Sequence, residues 1–124
     1  MSEAYNPDLV AVDTDVNKSR LATLRRFLDV PTLQRQLTEI SKQMEDCSFW
    51  DNPTSAQEVV AQSNIIKRKL NPFLDLEKRQ ADLIDVIAMA KEFEDADSAQ
   101  EAADEYKKIC QELDSCEVLV LLDK

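Results

Sequence analysis

The chain has 124 residues, with no glycine, no histidine and only four prolines. Tight hairpins and phosphate-binding loops depend on glycine, and most nucleophilic triads depend on histidine, so these classes of fold and site are excluded and an all-α fold is predicted. The 25 acidic residues against 15 basic residues give a net charge of −10, which disfavours direct nucleic-acid binding.

The amino-terminal part of the sequence predicts a tail and two helices. Residues 1–16 lack sustained apolar periodicity, so we expect a flexible tail there and a helical domain over 17–124. Leu21, Leu24 and Leu28 share one face of a short helix that Pro31 ends or kinks. A second helix follows, with Asp29 as its candidate cap. Its heptad seam is Val30, Leu33, Leu37, Ile40, Met44 and Cys47.

An aromatic pair separates the second helix from a longer third helix. Phe49 and Trp50 precede Asp51-Asn52-Pro53, which offers a polar cap followed by a proline in the first helical turn. We interpret the two aromatic residues as a partly buried lid on the helix ends. An exposed binding anchor is the alternative, because aromatic residues are enriched at interfaces.

The third predicted helix is roughly 40 residues long and contains a proline. One apolar register runs from Ala56 to Phe73, and after two successive steps of three residues it resumes from Leu76 to Ala90. This phase shift lies beside Pro72, which removes a backbone hydrogen bond, so we predict a kink near Pro72.

The last helix is predicted after an acidic turn at 92–97. Ser98-Ala99-Gln100-Glu101 matches a capping box, and a seam with alternating steps of three and four continues to Val120. The apolar stripe of one helix is buried only when the stripe of a neighbouring helix packs against it. The predicted architecture is therefore an antiparallel helical bundle or coiled-coil hairpin of three to four helices.

Few residues are candidates for chemistry. The acidic residues at 92–97 and 101–105 suggest either a metal site or a solvated face, and the absence of a calcium-loop glycine favours the solvated face. No two of the three cysteines, Cys47, Cys110 and Cys116, form a C-x-x-C motif, so we expect reduced thiols in packing positions. No catalytic, cofactor-binding or metal-binding residue is assigned, and no signal peptide or membrane span is recognised, which predicts a cytoplasmic protein.

Two segments resemble a known family in their order and spacing. They are Leu24-Arg25-Arg26-Phe27-Leu28-Asp29 and Phe49-Trp50-Asp51-Asn52-Pro53, the second followed by Ala56-Gln57. Together with the long charged helices they resemble the amino-terminal helical domain of bacterial peptide chain release factor 2, over roughly 17–122. The stretch from Phe49 to Gln57 is the most specific part, because generic coiled coils lack it.

The resemblance implies a role in translation termination. In this family a Ser-Pro-Phe tripeptide recognises UAA and UGA, and a Gly-Gly-Gln loop promotes hydrolysis of peptidyl-tRNA. Neither motif is present here, so the chain is not expected to be an enzyme. Asn71-Pro72-Phe73 is similar to the decoding tripeptide only in appearance, because it lies in a heptad-bearing helix.

The resemblance also implies partners. These are the remaining domains of a longer factor, the stalk base of the large ribosomal subunit and the GTPase that recycles release factors. The apolar run from Val118 to Leu122 exceeds what one helix stripe buries, so we expect a covering segment in the longer factor or self-association of the truncated form.

Two other functions remain open. A stand-alone helical coiled-coil adaptor with no role in translation explains the heptads, but it leaves the stretch from Phe49 to Gln57 unexplained. A small metal-dependent enzyme that uses the acidic residues is the weaker alternative, and metal-dependent thermal stabilisation would support it.

Overall fold

The computed structural model describes residues 4–122, and this part of the chain is helical with no strand. Two short 3₁₀ turns, Pro7–Val10 and Cys47–Asp51, accompany four α-helices. The predicted all-α class is confirmed. The helices are α1 (Thr14–Leu28), α2 (Val30–Glu45), α3 (Pro53–Phe93) and α4 (Ala96–Leu122).

The helices are distributed over two compact units. Unit 1 comprises Met1–Leu24 and Leu74–Lys124, and unit 2 comprises Arg25–Phe73. Both α1 and α3 continue from one unit into the other. At 41 residues, α3 confirms the predicted length, and Pro72 lies inside this helix without ending it. The kink near Pro72 stays a prediction.

The core of unit 1 consists mainly of the seam residues predicted from the heptads. Burying one such Leu, Ile or Val side chain contributes about 1.5–3 kcal/mol, so these stripes supply most of the stabilisation. Val10 extends this core from the first 3₁₀ turn, which packs against α4. The buried seam residues are Leu21, Leu24, Leu76, Leu83, Ile87, Ala90, Ala99, Ala102, Ile109 and Leu113.

The core of unit 2 is built by α2 and the first part of α3. Its α3 residues follow the predicted register, with Ser63 as a buried polar member. The predicted α2 seam is correct except at its end, where Cys47 is exposed because α2 stops at Glu45 and a 3₁₀ turn changes the helical phase. The buried residues are Val30, Ile40, Ala56, Ser63, Ile66, Leu70 and Phe73.

Helical structure begins before the predicted boundary at residue 17. The side chain of Asn6 accepts a hydrogen bond from the Asp8 N–H at 3.0 Å and caps the first 3₁₀ turn. Val10 at the end of this turn is only 2% exposed, and α1 begins at Thr14. A single buried valine produces no periodic stripe, which explains the difference. Flexibility over 1–16 stays a prediction, and residues 1–3 lie outside the described part.

The three predicted helix caps have different outcomes. Asp29 occupies the N-cap position of α2 as predicted, but it has a left-handed conformation with φ 54° and forms no side-chain cap hydrogen bond; its backbone oxygen accepts from Thr32 and Leu33. The predicted capping box at Ser98 lies inside α4, which begins two residues earlier at Ala96. The third cap is confirmed, because Asn52 Oδ1 accepts from the Ser55 N–H at 3.3 Å.

Asp95 takes the capping role at the start of α4. Its Oδ1 accepts the Asp97 N–H at 3.2 Å, and its Oδ2 accepts the Ser98 hydroxyl at 2.8 Å. The chain reverses just before it at Glu94, which has a positive φ of 49°. Several acidic residues and one serine compete for this cap in the sequence, and the position of the turn decides between them.

Candidate protein-interaction surface

The aromatic pair of the sequence lies in the second 3₁₀ turn, between α2 and α3. Asp46 starts this turn, because its Oδ1 accepts the Ser48 backbone N–H at 3.0 Å and the Ser48 hydroxyl at 2.9 Å. These two hydrogen bonds, the backbone one first, lower the pKa of Asp46 from its usual range. The Asp46 backbone oxygen also accepts the Phe49 N–H at 3.0 Å, so the turn is closed on both sides.

Trp50 is held in one orientation by two contacts. Its indole Nε1 donates to the backbone oxygen of Met44 at 3.2 Å. Its ring also meets the Phe49 ring edge to face, with centroids 4.8 Å apart and an interplanar angle of 83°. Trp50 is nevertheless 52% exposed, which favours the alternative prediction of an exposed anchor over a lid on the helix ends.

A shallow groove of about 420 Å³ extends from Trp50 along α3. Its α3 residues recur every three or four positions, so they occupy one side of the helix. Short alanine and proline side chains leave the groove open, and the lining is apolar apart from two amide side chains. The lining residues are Trp50, Pro53, Ala56, Gln57, Val60, Ala61 and Asn64.

A second shallow pocket continues the same side of α3 toward its middle. Lys67, Arg68, Asn71 and Pro72 line it together with Asn64, which also belongs to the first groove. Because they share Asn64, the two depressions form one continuous surface within unit 2. We call the residues that line them the Trp50 surface.

Charge is divided unequally between the two units. Unit 2 contains seven basic and six acidic residues, whereas unit 1 contains eight basic and nineteen acidic residues. The net negative charge of the chain therefore belongs to unit 1. The acidity predicted from composition does not describe the surface around Trp50.

The arginines of unit 1 are neutralised by carboxylates of α4. Arg20 pairs with Asp114 and Glu117, and its pKa is raised chiefly by the hydrogen bond to Glu117. Arg79 is the centre of a larger network, in which the hydrogen bond to Glu105 is the main cause of a raised pKa. The other carboxylates around Arg79 are Glu112 at 2.6 Å and Asp75 at 3.6 Å.

Two cations of the Trp50 surface are in a different situation. Among the residues that the structure describes, neither Lys67 nor Arg68 forms an ion pair or a hydrogen bond through its side chain. Both are exposed. This surface therefore combines an oriented aromatic ring, an apolar groove and two cationic side chains that retain their hydrogen-bonding capacity.

The three cysteines are unpaired, as predicted. Cys110 and Cys116 are half-buried in α4, and burial raises the pKa of the Cys116 thiol, with a smaller contribution from the charge of Glu117. The prediction of a packing position is wrong for Cys47, which is exposed.

Other features singled out in the sequence do not converge on a site. Over residues 4–122, no three side chains from His, Cys, Asp and Glu are close enough to share a metal ion. No helix in this range has the length and hydropathy needed to cross a membrane. Phe73 of the Asn71-Pro72-Phe73 segment is completely buried within α3, so this segment presents no loop.

Comparison with known proteins identifies relatives over most of the chain. Residues 33–124 match the family model described as PCRF domain. Peptide chain release factor 2 of Clostridium perfringens is 29% identical over 105 residues, which is 85% of this chain and 29% of that protein. The factor of Staphylococcus saprophyticus subsp. saprophyticus is 30% identical over 109 residues, 88% of this chain and 29% of the relative.

A third relative extends the match slightly. Peptide chain release factor 2 of Mycolicibacterium smegmatis is 30% identical over 115 residues, covering 93% of this chain and 30% of that factor. The chain thus spans less than a third of the length of these relatives. No solved structure gives a significant match. Because the family model covers most of the chain and these relatives are release factors, the chain belongs to the PCRF domain family.

Proposed function

We propose that the chain is the amino-terminal domain of a class I peptide chain release factor of type 2, which acts in translation termination at UAA and UGA. The observation that carries this proposal is the match of 33–124 to the PCRF domain. The Phe49 to Gln57 segment, which lies within this match, and the relatives named peptide chain release factor 2 also support it.

The role of this domain in the proposal is to make protein and ribosome contacts. Codon recognition and peptidyl-tRNA hydrolysis belong to the other domains of the longer factor, because these 124 residues contain neither Ser-Pro-Phe nor Gly-Gly-Gln. The proposed partners are those remaining domains, the stalk base of the large ribosomal subunit and the recycling GTPase. The proposed place of action is the cytoplasm, where ribosomes terminate translation.

Exposed apolar residues near the end of α4 support a covering partner. Val118 is 54% exposed and Leu119 is 70% exposed. Fully burying one such side chain contributes about 1.5–3 kcal/mol, so contact between these residues and another domain of the factor is favourable. In the isolated chain the same residues promote self-association.

A reconstituted termination assay tests the proposed role. The chain alone is expected to release no peptide from ribosomes stalled at UAA or UGA, and an excess of it should slow release by an intact type 2 factor. Bovine serum albumin at the same concentration controls for non-specific inhibition. Release by the chain alone, or no competition at a hundredfold excess, would contradict the proposal.

Sedimentation velocity over a range of concentrations tests the exposed end of α4. We expect the parent chain to associate at high concentration and Leu119→Lys to remain monomeric, because lysine replaces exposed apolar surface with a hydrated charge. Ile84→Lys is the matched control, since Ile84 is also an exposed aliphatic residue of unit 1. Equal association of all three proteins would show that Leu119 is not involved.

The stand-alone adaptor predicted as an alternative shares the protein-binding role but lacks the link to ribosomes. Translating the native transcript beyond the codon for Lys124 separates the two functions. Downstream Ser-Pro-Phe and Gly-Gly-Gln motifs would establish a release factor, whereas a stop codon directly after Lys124 would favour the adaptor.

A further inference from the structure

We infer that the Trp50 surface binds a polypeptide segment that carries one large apolar side chain and, a fixed distance away, acidic side chains. The apolar side chain occupies the groove beside Trp50. The acidic side chains meet Lys67 and Arg68. This inference concerns the surface chemistry of unit 2 alone and does not depend on the proposed role in termination.

The apolar end of the surface is organised before any partner binds. The indole of Trp50 is oriented by its hydrogen bond to Met44 and by the edge of Phe49. Ala61 and Pro53 also line the groove, and their short side chains leave it open. An incoming side chain therefore displaces water from apolar surface without ordering Trp50, which removes part of the entropic cost of binding.

The cationic end of the surface determines the charge of the partner. Lys67 and Arg68 lie about 10–15 Å from the centre of the groove, given the rise of about 1.5 Å per residue along α3. Within the described part of the chain their side chains have no carboxylate partner, unlike Arg20 and Arg79 of unit 1. Carboxylates of a partner would form charge-assisted hydrogen bonds with them.

This distance defines the spacing of the partner's residues. In an extended segment, which rises about 3.3 Å per residue, acidic side chains belong three to five residues from the apolar anchor. In a helical segment, which rises about 1.5 Å per residue, they lie roughly seven to ten residues away. Both spacings fit within a peptide of 16 residues.

The same combination of tryptophan and basic residues occurs in surfaces that bind single-stranded nucleic acid. Two observations favour a polypeptide here. The groove is lined mainly by aliphatic groups, with only Gln57 and Asn64 to satisfy the polar edge of a base. The lining also contains two cationic side chains, Lys67 and Arg68, at one end of the surface, which is fewer than a groove needs to follow a phosphate backbone.

Selection from a displayed library of random 16-residue peptides tests this inference directly. The complete chain is the target, and the Ala61→Arg variant is used for counter-selection, because arginine fills the groove from an exposed helical position. We expect enriched peptides to share one large apolar residue and at least two acidic residues at one of the two spacings. Failure to enrich any peptide, or a consensus without acidic residues, overturns the inference.

The fluorescence of Trp50, the single tryptophan of the chain, then measures the affinity of the most enriched peptide. We expect Ala61→Arg to weaken binding at least tenfold and Ala81→Arg, an exposed position of α3 in unit 1, to leave it unchanged. Circular dichroism confirms that both variants are equally helical. Equal affinity of the two variants would contradict the position of the groove.

Charge reversal tests the cationic end. The Lys67→Glu/Arg68→Glu double variant should weaken binding at least tenfold, whereas Lys107→Glu/Lys108→Glu, an exposed pair in α4, should change it less than twofold. An equal loss in the two double variants would indicate only the effect of net charge and would overturn the inference. Tighter binding of a 12-nucleotide oligouridylate than of the peptide would assign the surface to nucleic acid instead.

Discussion

Asn17 and the half-buried Cys110 form a polar contact at the mainly apolar core of unit 1. The Asn17 side-chain amide donates to Cys110 Sγ at 3.4 Å, and the thiol donates back to Asn17 Oδ1 at 3.8 Å. A second polar residue, Gln80, donates to the Thr14 backbone oxygen at 3.1 Å. Its own Oε1 is buried without a hydrogen-bond partner over residues 4–122. Such groups disfavour other registers of the helices, because a shifted register leaves more of them unsatisfied.

Substituting Asn17 tests the importance of this buried pair. Asn17→Ala is expected to lower the free energy of unfolding by about 1–3 kcal/mol, because it leaves a small cavity and removes the partner of the thiol. Urea denaturation followed by circular dichroism measures the change. Lys18→Ala, at the exposed neighbouring position, should change stability by less than about 0.5 kcal/mol. Equal effects of the two substitutions would contradict a stabilising role of Asn17.

The Asp46 carboxylate provides a residue-scale prediction about pH. Its pKa in the folded chain lies below that of the unfolded chain, so it stabilises the turn above about pH 4, and this contribution is lost as the pH falls through the folded pKa. Carbon-13 NMR titration of the carboxyl group should show the lowered pKa. Ser48→Ala should raise the pKa of Asp46 only part of the way to its ordinary value, because the backbone N–H of residue 48 still donates to the carboxylate. A pKa at or above the ordinary value would contradict the hydrogen-bonded geometry.

At the scale of the elements, the local patterns predicted most of each helix but not all of its ends. The apolar registers of α3 and α4 were predicted from spacing alone, because a buried stripe repeats every three or four residues. Helix ends depend on a single side chain reaching a single N–H. Asp95, rather than Ser98, caps α4, and Asp29 contributes only its backbone oxygen to the start of α2.

The start of α3 offers a direct test of one cap. Asn52→Ala should lower the free energy of unfolding by about 1 kcal/mol, because the Ser55 N–H loses its acceptor, whereas Asn52→Asp should retain stability. Thr54→Ala, at an exposed position of the first turn, is the control. Chemical denaturation followed by Trp50 fluorescence measures unit 2 directly, since Trp50 lies in it. Equal stability of Asn52→Ala and the parent chain would indicate that water replaces the cap.

At the scale of the whole molecule, the main feature is the separation of charge. Unit 1 carries nineteen acidic residues and eight basic ones, and only some of the acidic side chains are paired with Arg20 and Arg79. The remaining carboxylates repel one another across the exposed helix faces. Unit 2 is nearly neutral, which leaves the Trp50 surface accessible to an acidic partner.

Salt should therefore stabilise the chain at neutral pH. Raising sodium chloride from about 0.01 M to about 0.15 M shortens the Debye length from about 30 Å to about 8 Å, which screens the repulsion within unit 1. We expect the Tm measured by circular dichroism to rise by a few degrees. A lower Tm in salt would show instead that the ion pairs of Arg20 and Arg79 outweigh the repulsion.

The sequence by itself determined the helical class, the length of α3 and most of the buried stripes, because these follow from composition and from short-range periodicity. It also contains the Phe49 to Gln57 segment, which indicates the family. Each of these features depends on residues within a few helical turns of one another. Local chemistry is sufficient to specify them.

Only the tertiary structure decided which polar and aromatic side chains have partners. The pairing of Asn17 with Cys110 and of Arg79 with Glu105 joins residues that are distant in the sequence. The exposure of Trp50 likewise depends on how the 3₁₀ turn is placed between two helices. Periodicity indicates which face of a helix is buried, but the partner on that face is determined by the packing of other elements.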